Sequence, residues 1–218
     1  MSLPAPKADA KADNRITVEL GSVLPRTATV KDGHLYVGGV DMVELAREQG
    51  TALYVYDEED LRSRIREYVE AFSAAYPNSE VIYASKAFLN RAMAKLVAEE
   101  GANIDVSGGG ELAIAQAAGF PMERVFVHGN NKTPQELEEA ISAGVGCIVL
   151  DSRIELDRVN EIAGRLGKVQ DVYMRITPGV EADTHEYIRT GMEDSKFGFT
   201  MREDFAFNCV GDVLAAEN

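Results

Sequence analysis

From Val81 onward, short apolar runs alternate with amphipathic stretches in a regular beat. VIYAS, NIDVS, VFVHG, CIVLD and VYMRI are brief and rich in β-branched and aromatic residues, the pattern of strands buried on both faces. Ile82, Ile104, Phe126 and Ile148 hold equivalent places 22 residues apart, and a fifth run centred near Tyr173 follows 25 later. Helices are predicted between the runs. Thr133-Pro134-Gln135-Glu136 reads as a capping box with proline at the first helical position, ended by Gly144. Ser152 and Glu155 predict a second capping box, ended by Gly167.

Successive strand–helix units predict a parallel sheet with right-handed crossovers. Two α/β architectures satisfy that, an open doubly wound sheet and a (β/α)8 TIM barrel. Near-uniform spacing favours the barrel. Eight units of about 22 residues from residue 80 would end near residue ~256 at the earliest. The 218 residues hold five strands and one more helix, DFAFNCVGDVLAAE, so the expectation is a barrel truncated after about five strands.

The pattern upstream is different. ITVEL, HLYVGG and ALYVY alternate as strands do, and Asp32-Gly33 marks a turn. DMVELAREQ is a short helix that Gly50 can close, and DEEDLRSRIREYVEAFSAAY a longer one with acids in its first turn. The domain reading is a disordered tail over 1–14, a β-rich segment over 15–56, and the partial barrel over 57–218.

Charge and cysteine usage narrow the function. Asp and Glu total 36 against 22 Lys and Arg, a net charge of -14, which argues against nucleic-acid and anionic-membrane partners. No run approaches the ~18 apolar residues of a membrane span. Cys147 and Cys209 form no CxxC pair and adjoin no histidine, which suits reduced thiols. MSLPAPKADAKADNR lacks the apolar core of a secretory signal. The compartment expected is the cytoplasm.

In a (β/α)8 protein the chemistry sits at the C-terminal ends of the strands. Those ends carry Lys86, Ser107 with the glycines after it, His128, Asp151 and Arg175. A buried lysine at a strand end would have a lowered pKa and a free amine, as a Schiff-base lysine needs; the plain alternative is a solvated lysine. Ser107-Gly108-Gly109-Gly110-Glu111 is either an anion-binding loop or a tight strand–helix turn. Its match to a dinucleotide fingerprint is discounted, because the next strand ends in His128 and not in an acid. His128 stands far from His185 and Glu186, so no metal site is expected.

These residues fall within longer strings. Tyr83-Ala84-Ser85-Lys86-Ala87-Phe88 resembles the YAxKA motif around the cofactor lysine of the fold-type III pyridoxal-phosphate (PLP)-dependent decarboxylases. Asp105-Val106-Ser107-Gly108-Gly109-Gly110-Glu111-Leu112 resembles their D-x-x-S-x-G-E-L. His128-Gly129-Asn130-Asn131-Lys132 is similar to a segment of the diaminopimelate decarboxylases within that family. Arg175-Ile176-Thr177-Pro178-Gly179-Val180, Thr184-His185-Glu186 and Ser195-Lys196-Phe197-Gly198 look like the family's R-x-N-P-G-V, TH and SKFG segments, and Gly50 to Asp57 like its early strand.

The resemblance implies an alanine racemase-like PLP-binding barrel, with a C-terminal β-domain to which residues 15–50 contribute strands. It implies decarboxylation of meso-diaminopimelate to L-lysine in lysine biosynthesis, Lys86 forming the Schiff base with PLP. Asp105, His128 and Arg175 are the other expected cofactor neighbours, and a homodimer with shared sites the expected assembly. An ornithine or arginine decarboxylase, a racemase, and a non-catalytic fragment are the alternatives. The family's ring-stacking histidine, phosphate loop and partner-donated residues have no match in these 218 residues, so the chain alone is expected to be inactive.

Overall fold

The computed structural model describes residues 23–179 and 197–218. The predicted strand ITVEL, the tail over 1–14 and the TH segment lie outside them. The chain divides into two compact units, Met1–Tyr68 and Val69–Asn218.

The first unit is a three-stranded antiparallel meander, β1 (Thr29–Lys31), β2 (His34–Val37) and β3 (Val40–Asp41). Asp32 and Gly33 take φ of 50° and 79°, so the expected turn is a tight hairpin with both central residues left-handed. Helix α1 (Met42–Gln49) starts on Asp41, whose carboxylate accepts the amides of Val43 and Glu44. Helix α2 (Glu58–Ala75) spans the boundary between the units. Asp57 begins it by accepting the Asp60 N–H at 3.2 Å and the Thr27 hydroxyl. ALYVY does not become a strand. Residues 52–56 have no ladder partner among the described residues, and Tyr54 is 94% exposed. An alternating pattern marks a strand only where a neighbour supplies the hydrogen bonds.

The second unit contains a five-stranded parallel sheet, in the order β4 (Ile82–Ala84), β5 (Asn103–Val106), β6 (Val125–Val127), β7 (Cys147–Leu150) and β8 (Val172–Met174). The order decides between the two architectures. A doubly wound sheet reverses its strand order at a switch point, whereas a barrel adds each strand beside the last. Register agrees. Ladder partners are 21 residues apart from β4 to β7 and 24 apart across β7–β8. The apolar runs repeat at 22 and then 25. Each run therefore slides by one residue against its neighbour. Eight such steps would make the shear of about eight that closes a (β/α)8 barrel.

Helices α3 (Arg91–Glu99), α4 (Gly109–Ala117), α5 (Pro134–Ala143) and α6 (Arg153–Leu166) fill the connections. Each buries one stripe, such as Leu137, Ala140 and Ile141 on α5 or Leu156, Val159 and Ala163 on α6. These close on Ile104, Val106, Ile148 and Leu150, all fully buried. Burial of each such side chain is worth about 1.5–3 kcal/mol. Arg124 ties α3 to the sheet, its guanidinium donating to Asn103 Oδ1 and to the carbonyls of Ala98 and Ala102. After β8 come β9 (Ile176–Thr177), which pairs in parallel with β10 (Phe199–Thr200), and helix α7 (Phe205–Ala215).

The two predicted capping boxes part ways. Thr133 and Glu136 form theirs, and Gly144 closes α5 with φ 79°. Ser152 makes no side-chain cap on α6. Glu155 instead takes the Asp151 N–H at 2.8 Å and pairs with Lys132.

Candidate functional site

The C-terminal ends of the five parallel strands stand side by side and carry the predicted residues. Lys86 lies in the 3-10 turn Ser85–Ala87 that directly follows β4. Two bonds hold that turn. The Tyr83 hydroxyl donates to the Phe88 carbonyl at 2.8 Å, and the Ser85 N–H donates to Asp105 Oδ1 at 2.9 Å. Asp105 is the ladder partner of Ala84. Ser85 takes the buried place, with its Oγ lacking a hydrogen-bond partner among the described residues, and Lys86 is exposed. Activation of this lysine by burial is thus not provided by the described residues: the turn carries it past the strand end.

His128 follows β6, and its N–H extends the ladder to the Val106 carbonyl at 2.7 Å. The imidazole is half-buried. Burial pushes its pKa below the usual 6.5, Asp105 works against that, and Lys132, Arg175 and Lys86 push it further down. The fields of all four charged residues therefore meet at His128, and the ring is held neutral near neutral pH. Lys86, Asp105 and Arg175 thus all lie near enough to bear on that ring.

Arg175 follows β8 and donates its N–H to Leu150 O at 2.9 Å. Its guanidinium sits 3.3 Å from Asp151 Oδ1 and 4.2 Å from the centre of the Phe197 ring. The other oxygen of Asp151 accepts the Gly198 N–H at 3.0 Å. Gly198 has φ 73°, and a Cβ there would lie 2.5 Å from the Arg175 carbonyl. Gly198 is thus pinned against the backbone at Arg175, and only glycine permits the approach.

Lys132 and Glu155 were not singled out by the sequence reading as site residues. Both are buried, at 4% and 5% exposure, with Lys132 Nζ 3.1 Å from Glu155 Oε1. Lys132 also donates to the carbonyls of Gly129 and Val149, at 2.5 and 2.8 Å. No local pattern could reveal a pair that joins two different strand–helix loops. The glycine loop resolves toward the plainer of its two readings. The amides of Ser107 and Gly109 face Glu111 and Glu136 at 2.5 and 3.2 Å, so carboxylates of the chain itself occupy donors that an anion would need.

An exposed lysine, an imidazole, a carboxylate and a guanidinium thus stand at one end of a sequential parallel sheet. The primary amine of Lys86 has the chemistry to hold an aldehyde, and the Arg175 guanidinium that to hold an anionic group. Residues 62–210 match the family described as pyridoxal-dependent decarboxylase, pyridoxal binding domain. The chain belongs to that family, whose cofactor is pyridoxal phosphate.

Diaminopimelate decarboxylase of Bacillus subtilis is 48% identical over 186 residues, covering 85% of this chain and 42% of the relative. That of Mycobacterium tuberculosis is 47% identical over 198 residues, covering 90% and 44%. Among solved structures, diaminopimelate decarboxylase from M. jannaschii in co-complex with L-lysine aligns with a TM-score of 0.80 at 36% identity, covering 88% of this chain and 45% of that one. The Helicobacter pylori enzyme complexed with L-lysine aligns at 0.73 and 29%, covering 80% and 43%. The chain spans a little under half the length of these relatives. No described helix is long and apolar enough to cross a membrane.

Proposed function

We propose that this chain is the cofactor-bearing part of a PLP-dependent diaminopimelate decarboxylase that converts meso-diaminopimelate to L-lysine, with Lys86 holding the cofactor covalently. The observation that carries the reading is the Lys86 turn itself, braced by Tyr83 and Asp105 beside the neutral His128. The near-half identity to diaminopimelate decarboxylases favours that substrate over ornithine or arginine.

The chain's residues divide the work. Lys86 Nζ supplies the exposed primary amine. Asp105 holds the backbone of that turn and places a negative charge at the rim. His128, kept neutral, offers a ring nitrogen that can accept a proton. Arg175 is anchored by Asp151 on one side and keeps further guanidinium donors for an anionic group. When bound, pyridoxal phosphate supplies an electron sink for the pair left on Cα as CO2 departs. A cytoplasmic homodimer with shared sites is the assembly this reading carries.

The test is chemical trapping. Borohydride reduction of the holoenzyme followed by peptide mapping should place the pyridoxyl group on Lys86, and Lys86→Ala should abolish both label and activity. A label on another lysine refutes the assignment. Product analysis with meso-diaminopimelate should yield L-lysine and CO2; turnover of ornithine or arginine instead, or racemisation without CO2, refutes the substrate.

A further inference from the structure

Lys132 and Glu155 are a buried ion pair that the proposed chemistry does not use. They join two loops. Lys132 sits four residues beyond His128 and bonds the carbonyl of Gly129, the next residue after that histidine. Its other partners, the Val149 carbonyl and Glu155, belong to β7 and to the first turn of α6. Glu155 in turn accepts the Asp151 N–H, and Asp151 grips Arg175 and the Gly198 amide. A chain of contacts therefore runs from Gly129, the neighbour of His128 after β6, through β7 to Arg175 after β8.

We propose that Lys132 and Glu155 are positioning residues of the active site: their buried pair holds the His128 loop and the Asp151–Arg175 clamp in one arrangement. A pair buried in an apolar setting is a poor source of stability, because desolvation offsets most of the attraction. Its contribution is geometric. Each partner has one place where all its bonds are met, and Lys132 satisfies three acceptors at once. Its ammonium also acts on His128 directly, one of the charges that keep the ring neutral. Glu155 is pushed by burial toward its neutral form, and Lys132 and the Asp151 amide oppose this. Removing Lys132 thus leaves a carboxyl that can take up a proton and remain buried.

The inference rests on the proposed function for its catalytic meaning but is tested apart from it. The protein is labelled at its histidines and titrated by NMR without cofactor, with His128 assigned by the signal lost in His128→Gln. The charges that bear on the ring, Asp105, Lys132, Arg175 and Lys86, are otherwise left in place. Lys132→Met should move the His128 titration to higher pH. The double variant Lys132→Met/Glu155→Gln keeps an acceptor for the Asp151 amide and carries no buried charge. It should fold even where the single variant does not, and should show the same rise. Provided that trapping in the parent protein places the cofactor on Lys86, both variants, kept unreduced, should bind PLP about tenfold or more weakly. A His128 titration unmoved in the folded double variant overturns the proposal, as does an unchanged PLP affinity in the unreduced variants. If borohydride labels another lysine, the proposed function fails, and the titration still decides whether Lys132 governs His128.

Discussion

The backbone N–H of Ser85 donates to Asp105 Oδ1 at 2.9 Å, which ties the residue before Lys86 to the neighbouring strand. Asp105 therefore has a structural duty and an electrostatic one, and two substitutions separate them. Asp105→Ala leaves a partly buried amide unpaired and should cost about 1–3 kcal/mol in chemical denaturation. Asp105→Asn keeps an acceptor, so stability should hold to within about 0.5 kcal/mol. It also removes the charge that holds the His128 pKa up, so that titration should move lower. Equal stability losses in the two variants would show that the hydrogen bond does not matter.

The depressed pKa of His128 has a signed consequence for stability. Well above pH 6.5 the ring is neutral both folded and unfolded and contributes no pH dependence. Below that the unfolded chain takes up a proton that the folded ring resists. Stability should therefore fall as pH drops from 6.5 toward the lower folded pKa. His128→Gln should remove this part of the acid slope, measured as the difference between wild-type and variant denaturation from pH 7 downward. A steeper slope in the variant would contradict the sign.

Two glycines are set by close approach. A Cβ at Gly146 would lie 2.0 Å from the Glu123 carbonyl, where the residue enters β7. Gly146→Ala should cost about 2–4 kcal/mol, because the obstacle is backbone and cannot swing away. Gly198→Ala meets the Arg175 carbonyl in the same way, with positive φ besides. It should weaken cofactor binding more than its stability loss explains, since the clamp on Arg175 opens. Denaturation and PLP titration of both variants separate the two effects; matching profiles would place Gly198 in the fold and not the site.

Burial pushes the Cys147 thiol up to about 11, and Cys209 is likewise raised by burial. Both should resist alkylation at pH 7 in the folded protein and react in denaturant. Rapid labelling of Cys147 in the native state would mean that β7 is not buried as the sheet requires.

The order and period of the strand–helix units were legible in the sequence because both faces of a parallel strand are buried, and burial writes itself into consecutive residues. Strand ends could be read for the same reason: where the apolar run stops, the rim begins, and Lys86, His128, Asp151 and Arg175 stand there. The Thr133 capping box was legible because all its partners lie within one turn. ALYVY misled because alternation records which residues face a core, and whether a neighbouring strand supplies hydrogen bonds lies elsewhere in the chain.

What the sequence determined by itself is thus local and periodic: five strands, their spacing, the first capping box and the residues at the strand ends. Only the tertiary structure decided that the sheet runs in sequential order, that Lys86 is lifted into solvent while Ser85 takes the buried place, and that Glu155 leaves its expected cap. That last choice depends on Lys132, 23 positions earlier in the chain. A buried carboxylate goes to the partner that replaces its lost water best, and that partner is chosen by proximity in space, which no local pattern records.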